Sequence, residues 1–377
     1  MYNPYDPQNP AKPDYFGGRK QVLKAVQDRI DRAKAQHQSG GILAYGHRGV
    51  GKTSLIKKIV DIATSPESGS ENALIVYRRI SKQTDAERLY QLLIEGLLEE
   101  IQGRQTKIQR LKAVAAKVSS IKLLEFGVDL KSVDNSSQSQ YQRWRSLLRS
   151  LQNADFVLIA LDDADYLTPD ALGELKTIVE DSVDAPILLV VSGGISFERG
   201  LVDEYSPIAR VFSGASTNLG EFTREETKEV LTKPLEGKAN LWLEDGIDEL
   251  QRLTFGYPYL VQCVASASYA GDRTLDASRV KEAISQAVSI GKSWLDHEIP
   301  NASDQDVLSF SRLINQGKHS FRSAEITNLG VRSVYIGRLV KLGVLKQISR
   351  GRYVLQKSPI VATYEHLKRG LGERTPK

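Results

Sequence analysis

Gly46-His47-Arg48-Gly49-Val50-Gly51-Lys52-Thr53 has the spacing G-x-x-x-x-G-K-[ST]. Its surroundings matter as much as the match. It follows the apolar run ILAY and opens the amphipathic stretch SLIKKIVDI. Glycines at these places let a backbone curl until its N–H groups converge on a phosphate, and a helix N-terminus adds partial positive charge. Lys52 is long enough to reach β- and γ-phosphates, and the Thr53 hydroxyl, with Ser54 beside it, suits Mg²⁺. A second group lies downstream, where FVLIALDDAD runs from a buried strand into Asp162 and Asp163. Adjacent carboxylates at the end of an apolar strand have no packing role. If that strand lies beside ILAY, Asp162 holds Mg²⁺ through water and Asp163 polarises an attacking water. His47 reads as a solvent-facing loop residue. No His/Cys spacing suits zinc, and no serine has a nucleophile context.

The elements that must position these groups follow from hydrophobic period. Val22, Leu23, Val26, Ile30 and Ala33 recur at helical spacing. Strands are expected at GGILAY, 73–79, 156–161 and 187–191. Helices are expected at 85–101, 141–151 and 169–183. Apolar strands without polar alternation, separated by helices, imply a parallel sheet covered on both faces, an α/β fold. An insertion at about 104–138 reads as a basic helix over 104–117, a hairpin over 119–133 and a serine-rich closing loop. After Glu221 the pattern is helical, at 223–232, 245–254, 259–269 and 277–290, with Leu241, Trp242 and Leu243 as core. From residue 299 the order is helix (305–315), helix (323–328), turn at Gly330, helix (332–342), then strands at 344–348 and 353–356 about an Arg350-Gly351 turn. That is the order of a winged helix. The expected domains are an extended proline-punctuated strap (1–18), a phosphate-loop domain (19–220), a helical lid (221–298) and an α+β winged-helix domain (299–377).

Composition bounds the function. The 377 residues are 41% hydrophobic and 26% charged, which excludes disorder and disulfide-stapled folds. The single cysteine, Cys263, allows no internal disulfide. No apolar run approaches the ~18–20 residues of a membrane span, and the N-terminus lacks a signal-peptide core. A cytoplasmic protein without a membrane partner is the expectation. Residues 301–377 hold 14 Lys and Arg against 5 Asp and Glu, a net +9 within an overall +5. Such asymmetry suggests a polyanion partner at that end, duplex DNA above all. In the expected recognition helix, Val334, Ile336 or Tyr335, Leu339, Val340 and Leu342 face a core. Arg332, Arg338 and Lys341 are left to solvent, and Lys346, Arg350 and Arg352 on the hairpin complete a DNA-contacting set. Winged helices also serve as protein-interaction modules, so a protein partner stays open.

These ordered motifs, over roughly residues 14–370, resemble AAA+ ATPases of the archaeal-type, STAND-like and initiator-related groups. Tyr15-Phe16-Gly17-Gly18-Arg19 resembles the box before the first helix that lies near adenine, which brings in Arg19. The loop from Gly46 to Ser54 and the LDDAD strand end resemble Walker A and Walker B. Ser192, after the strand at 187–191, resembles a sensor-1 residue that touches the γ-phosphate or the water. Gly256-Tyr257-Pro258 resembles a lid motif whose proline walls in adenine. The resemblance implies ATP and Mg²⁺ as cofactors, a parallel-sheet P-loop fold with helical lid and winged helix, and ATPase activity in a homo-oligomer formed with ATP. Two departures stand out. Asp163 replaces the usual, longer Glu, and GYPYLVQC lacks the sensor-2 arginine. Arg210, or else Arg199, is then expected to supply charge to a neighbouring subunit's ATP. The runner-up reading is a slow STAND-type switch or a loading factor acting on a protein.

Overall fold

In a computed structural model, described over residues 2–68, 72–115, 139–151, 154–180, 185–203, 206–237, 241–269 and 274–371, the chain divides into two units. These are Arg19–Gly220, and Met1–Gly18 together with Glu221–Lys377.

The Arg19–Gly220 unit contains α1 (Lys20–Gln36), β1 (Gly40–Tyr45), α2 (Lys52–Thr64), β2 (Leu74–Arg79), α3 (Ala86–Ala115), α4 (Gln140–Arg149), β3 (Val157–Asp162), α5 (Pro169–Glu180), β4 (Ile187–Gly193), α6 (Ile195–Asp203), α7 (Ser206–Ala209) and β5 (Ser216–Asn218). The strands form one sheet in the order β2-β3-β4-β1-β5, and every pair is parallel. β3 and β4 are buried along their whole length, β1 nearly so, while β2 alternates and β5 is largely exposed. Full burial on both faces is thus confined to the three inner strands, because an edge strand has only one neighbour to share its cover.

One expectation about this sheet is overturned. β3 does not lie beside β1; β4 is inserted between them, with Leu43 opposite Val191 and Ala160 opposite Val190. Strand order depends on crossover connections, which a linear hydrophobic pattern does not encode. The consequence is that the end of β4 stands between the glycine-rich loop and the Asp162 strand end. The expected break between helices at 101 and 104 is also absent, since α3 continues to Ala115. The expected hairpin at 119–133 lies outside the described residues.

The other unit contains α8 (Arg224–Thr232), α9 (Glu244–Thr254), α10 (Pro258–Ser268), α11 (Ala277–Glu282), α12 (Ile284–Leu295), α13 (Asp304–Ile314), β6 (Ser320–Arg322), α14 (Ser323–Asn328), α15 (Ser333–Lys341), β7 (Leu345–Ser349), β8 (Arg352–Leu355) and α16 (Pro359–Lys368). A single core runs from Leu231 and Leu250 through Val264 and Leu295 to Phe310, Leu339 and Tyr364. The strap joins this core through Tyr5, whose buried hydroxyl donates to the Leu231 carbonyl at 2.5 Å and accepts from Trp242 Nε1 at 2.8 Å. Cys263 is buried in α10, and burial pushes its thiol up to about 12. Among the described residues no helix is long and apolar enough to cross a membrane.

Several side chains depart from the sequence reading here. Trp242 is buried, but Leu241 and Leu243 are exposed (61% and 41%), because that segment is extended and successive side chains alternate. The helix expected over 277–290 is broken at Ala283 into α11 and α12. Val334 is 60% exposed: with Ile336 and Leu339 fixing the buried side of α15, a residue two positions earlier falls on the opposite side.

Arg338 is exposed, as expected, but it is not unpaired. Its Nε and Nη2 donate to Asp306 at 2.8 and 2.5 Å, and Asp306 is only 1% exposed. Asp306 also accepts from the Ser303 backbone N–H at 2.8 Å, closing the capping box of α13. Arg338, helped by Ser303, holds the Asp306 carboxyl down at about 2. A depressed folded-state pKa stabilises above the ordinary carboxylate range and is lost as pH falls through the folded value. Arg338→Ala is expected to destabilise the protein at neutral pH, because it removes charge-assisted bonds to a buried carboxylate. The deficit should shrink between about pH 4 and 2, as Asp306 takes up its proton in both proteins. Urea unfolding at several pH values measures this, and a deficit that does not change with pH would show that the ion pair is not its source.

Candidate functional site

The loop between β1 and α2 is shaped by positive φ at Gly46 (151°), Gly49 (87°) and Gly51 (94°). At Gly46 a Cβ would meet the Leu219 carbonyl oxygen at 2.4 Å, so only glycine fits. Val50 is buried and anchors the loop, while His47 and Arg48 are exposed. Gly51 caps α2, which begins at Lys52 and buries Leu55, Ile56, Ile59 and Ala63. The first turn of α2 therefore presents Lys52, Thr53 and Ser54 beside the loop backbone. Lys52 Nζ donates to the loop's own carbonyls, Gly46 at 2.9 Å and His47 at 3.2 Å. Burial lowers its pKa, and Asp165, Asp163 and Asp162 oppose that shift.

Asp162 lies at the end of β3 and is fully buried. Its Oδ1 accepts from Ser192 Oγ at 2.5 Å, and its Oδ2 from Thr53 Oγ1 at 2.8 Å and Tyr77 Oη at 3.3 Å. Burial, then the neighbouring Asp162 charge, pushes the Tyr77 phenol up to about 12. Three hydroxyls thus surround a buried carboxylate, and among the described residues no cation pairs with it. Such a charge is costly unless a counter-cation completes the site. The donor set of Thr53 and Asp162, hard oxygens 2.8 Å apart, is the kind that suits Mg²⁺.

Asp163 follows with left-handed backbone (φ 59°), and its backbone N–H donates to Ser192 Oγ at 3.1 Å. Its carboxylate pairs with Arg79 Nε at 2.8 Å, a contact that raises the arginine's pKa. The Ser192 hydroxyl is thus committed to Asp162 and to the Asp163 backbone, where the resemblance had it touching phosphate or water. The placement of β4 beside β3 brings this about. Asp165 accepts the Gly194 N–H on both oxygens, each at 2.9 Å, which ties the β3 exit to the β4 exit. Tyr77, Arg79 and Asp165 escaped the sequence reading. In a parallel sheet the ends of neighbouring strands share one edge, so Tyr77-Arg78-Arg79 at the end of β2 was the available signal.

Residues 15–191 match the protein family described as AAA ATPase domain. That match spans a little under half of the chain. No curated protein matches it. Among solved structures, it is similar to the Walker-type ATPase PABY2304 of Pyrococcus abyssi, at 15% identity and a TM-score of 0.52, covering 96% of this chain and 99% of that one. It is also similar to the Aeropyrum pernix ORC2 protein, at 14% identity and a TM-score of 0.54, covering 93% and 94%. At these identities the likeness is one of fold, and the parallel five-stranded sheet with its flanking helices is the AAA+ P-loop fold.

Other residues singled out from the sequence make none of the hydrogen bonds just described. Within the Arg19–Gly220 unit, Arg19 has left-handed backbone (φ 58°) and donates to the Gly220 carbonyl. Arg199, on α6, and Arg210, after α7, are exposed, and neither has an ion pair among the described residues. In the other unit, Pro258 opens α10 and is buried. Arg332 precedes α15, with its guanidinium 5.9 Å from the Tyr335 ring centre. Lys341, Lys346, Arg350 and Arg352 are exposed at the end of α15 and on the β7–β8 hairpin.

Proposed function

We propose that the chain is an ATPase that binds ATP with Mg²⁺ and engages duplex DNA through a winged helix formed by α13–α15 and the β7–β8 hairpin. The observation that carries the nucleotide half is Asp162, a fully buried carboxylate met, among the described residues, by three hydroxyls, one of them Thr53 of the phosphate loop. Mg²⁺ bound there supplies positive charge to phosphate oxygens. Lys52 holds the phosphates and Asp163 orients the attacking water. Arg19 borders the adenine. The ORC2 structure similar to this chain was determined as ADPNP–ADP complexes, in keeping with a nucleotide ligand. Arg210 supplies charge to the ATP of a neighbouring copy, so ATP favours a homo-oligomer. A slow, switch-like turnover is favoured by the Arg79–Asp163 pair, which occupies the carboxylate that orients the water.

The DNA half rests on Arg332, Lys341, Lys346, Arg350 and Arg352 being exposed. A duplex that meets three to five of them should bind with a log K against log salt slope of about −3 to −5, at about −0.9 per neutralised phosphate. Arg350→Ala combined with Arg352→Ala should reduce that magnitude by about 2, equally for all sequences. A salt titration on a labelled duplex with ATP tests this. Absence of binding near 50 mM salt (about the low end of the usual range) would favour a protein partner instead.

A further inference from the structure

The cations of the C-terminal segment fall into two sets. Lys318 pairs with Glu325 at 3.4 Å, Arg338 with Asp306 at 2.5 Å, Lys357 with Glu298 at 2.5 Å and Lys368 with Asp296 at 2.8 Å. Arg369 pairs with Asp304 and Glu365, and Arg312 donates to the Gly330 carbonyl at 2.8 Å. Arg322, Arg332, Lys341, Lys346, Arg350 and Arg352 have no ion pair among the described residues, and all six are exposed.

Two of this unpaired set face each other. β6 and β8 run antiparallel with Phe321 opposite Tyr353 and Arg322 opposite Arg352. Phe321 is buried, so the alternation of a strand turns Arg322 outward, level with the exposed Arg352. Directly opposed residues have Cβ atoms about 4.5–5.5 Å apart, and like charges so placed are destabilising. Lys346 stands opposite Val354, two residues along from Arg352, and so shares the outward face. The one acid close in sequence, Glu325, accepts the Arg322 backbone N–H at 2.7 Å and pairs with Lys318. The Arg322 charge acts on Glu325 at a distance, but the two form no ion pair. Opposed guanidinium groups that no carboxylate of the described residues bridges suit an anion arriving from outside, and their planar forks match phosphate oxygens. The unpaired cations continue from this face to the Arg350 turn and to both ends of α15. That extent suits a repeating polyanion better than a small ion.

We propose that the outward face of the β6-β8-β7 sheet, centred on the Arg322–Arg352 pair, is a phosphate-binding site for the backbone of duplex DNA. In the DNA-contacting set Arg322 takes the place that Arg338 vacates. This rests on the DNA reading above. The test uses the full chain with ATP and a labelled duplex, comparing wild type, Arg322→Ala and Arg322→Glu across salt. Arg322→Ala should lower the slope magnitude by about 1. Arg322→Glu should lower it by about 2, because the introduced carboxylate also neutralises Arg352. Between about 50 and 200 mM salt, the glutamate variant should then lose about 16-fold less affinity than wild type. At low salt it should unfold no earlier than wild type, since an opposite-charge pair replaces a like-charge one. If wild type shows the slope and both variants keep it, the sheet-face site is wrong and the DNA reading stands on α15 and the turn. If wild-type binding is absent or indifferent to salt, both readings fall. If the glutamate variant unfolds early, the slope of the alanine variant decides.

Discussion

Lys52→Ala is expected to abolish measurable nucleotide binding. The ammonium rests on the Gly46 and His47 carbonyls, so an arriving triphosphate exchanges two neutral acceptors for charged oxygens on a part-buried cation. Charge-assisted hydrogen bonds contribute about 1.5–3 kcal/mol each. Losing two of them is about 3–6 kcal/mol, or roughly 10²–10⁴-fold in Kd. Asp162, Asp163 and Asp165 make the loss worse, because without Lys52 the phosphates meet a set of carboxylates with no fixed cation on the loop side. Calorimetric titration with an ATP analogue measures the change. A parallel reading is thermal: ATP should raise the unfolding temperature of wild type and leave the variant unmoved. A Kd within tenfold of wild type would show that the loop does not hold the phosphates through Lys52.

Asp163→Ala should leave ATP affinity within a few-fold of wild type and lower the hydrolysis rate by about 10²–10⁴, the usual worth of a positioned proton acceptor. The Arg79 contact sharpens this prediction. A cation at 2.8 Å from the carboxylate occupies one of its oxygens and fixes its direction. The pair is largely exposed, so its hold is about 1 kcal/mol at most. Arg79→Ala should then raise the rate by about 3–5-fold without changing ATP affinity. The doubly substituted protein should be as slow as Asp163→Ala alone, since Arg79 acts through Asp163. Single-turnover hydrolysis at saturating ATP separates these outcomes from changes in binding. Wild-type turnover in Asp163→Ala would remove Asp163 from the chemistry. A slower Arg79→Ala protein would mean that the arginine orients the carboxylate and does not restrain it.

The phosphate loop, the two-carboxylate strand end and the alternation of strands with helices were legible from the chain alone. Each is written in neighbouring residues: Gly46, Gly49 and Gly51 dictate a curled backbone, and apolar periods of two or 3.6 dictate which elements form. The charge asymmetry was legible too, because net charge needs no geometry. Tertiary structure decided the rest. Strand order put β4 between β1 and β3, which is why Ser192 grips Asp162, and it set Arg79 beside Asp163 across two strands far apart in sequence. Helix phase turned Val334 outward and delivered Arg338 to Asp306, removing from the unpaired set a cation that composition alone had counted as free. Register on the three-residue β6, too short to announce its alternation, placed Arg322 against Arg352. Local period reports which face of its own element a residue occupies. Which partner waits across from that face depends on crossovers, register and helix packing, and those are settled only when distant segments meet.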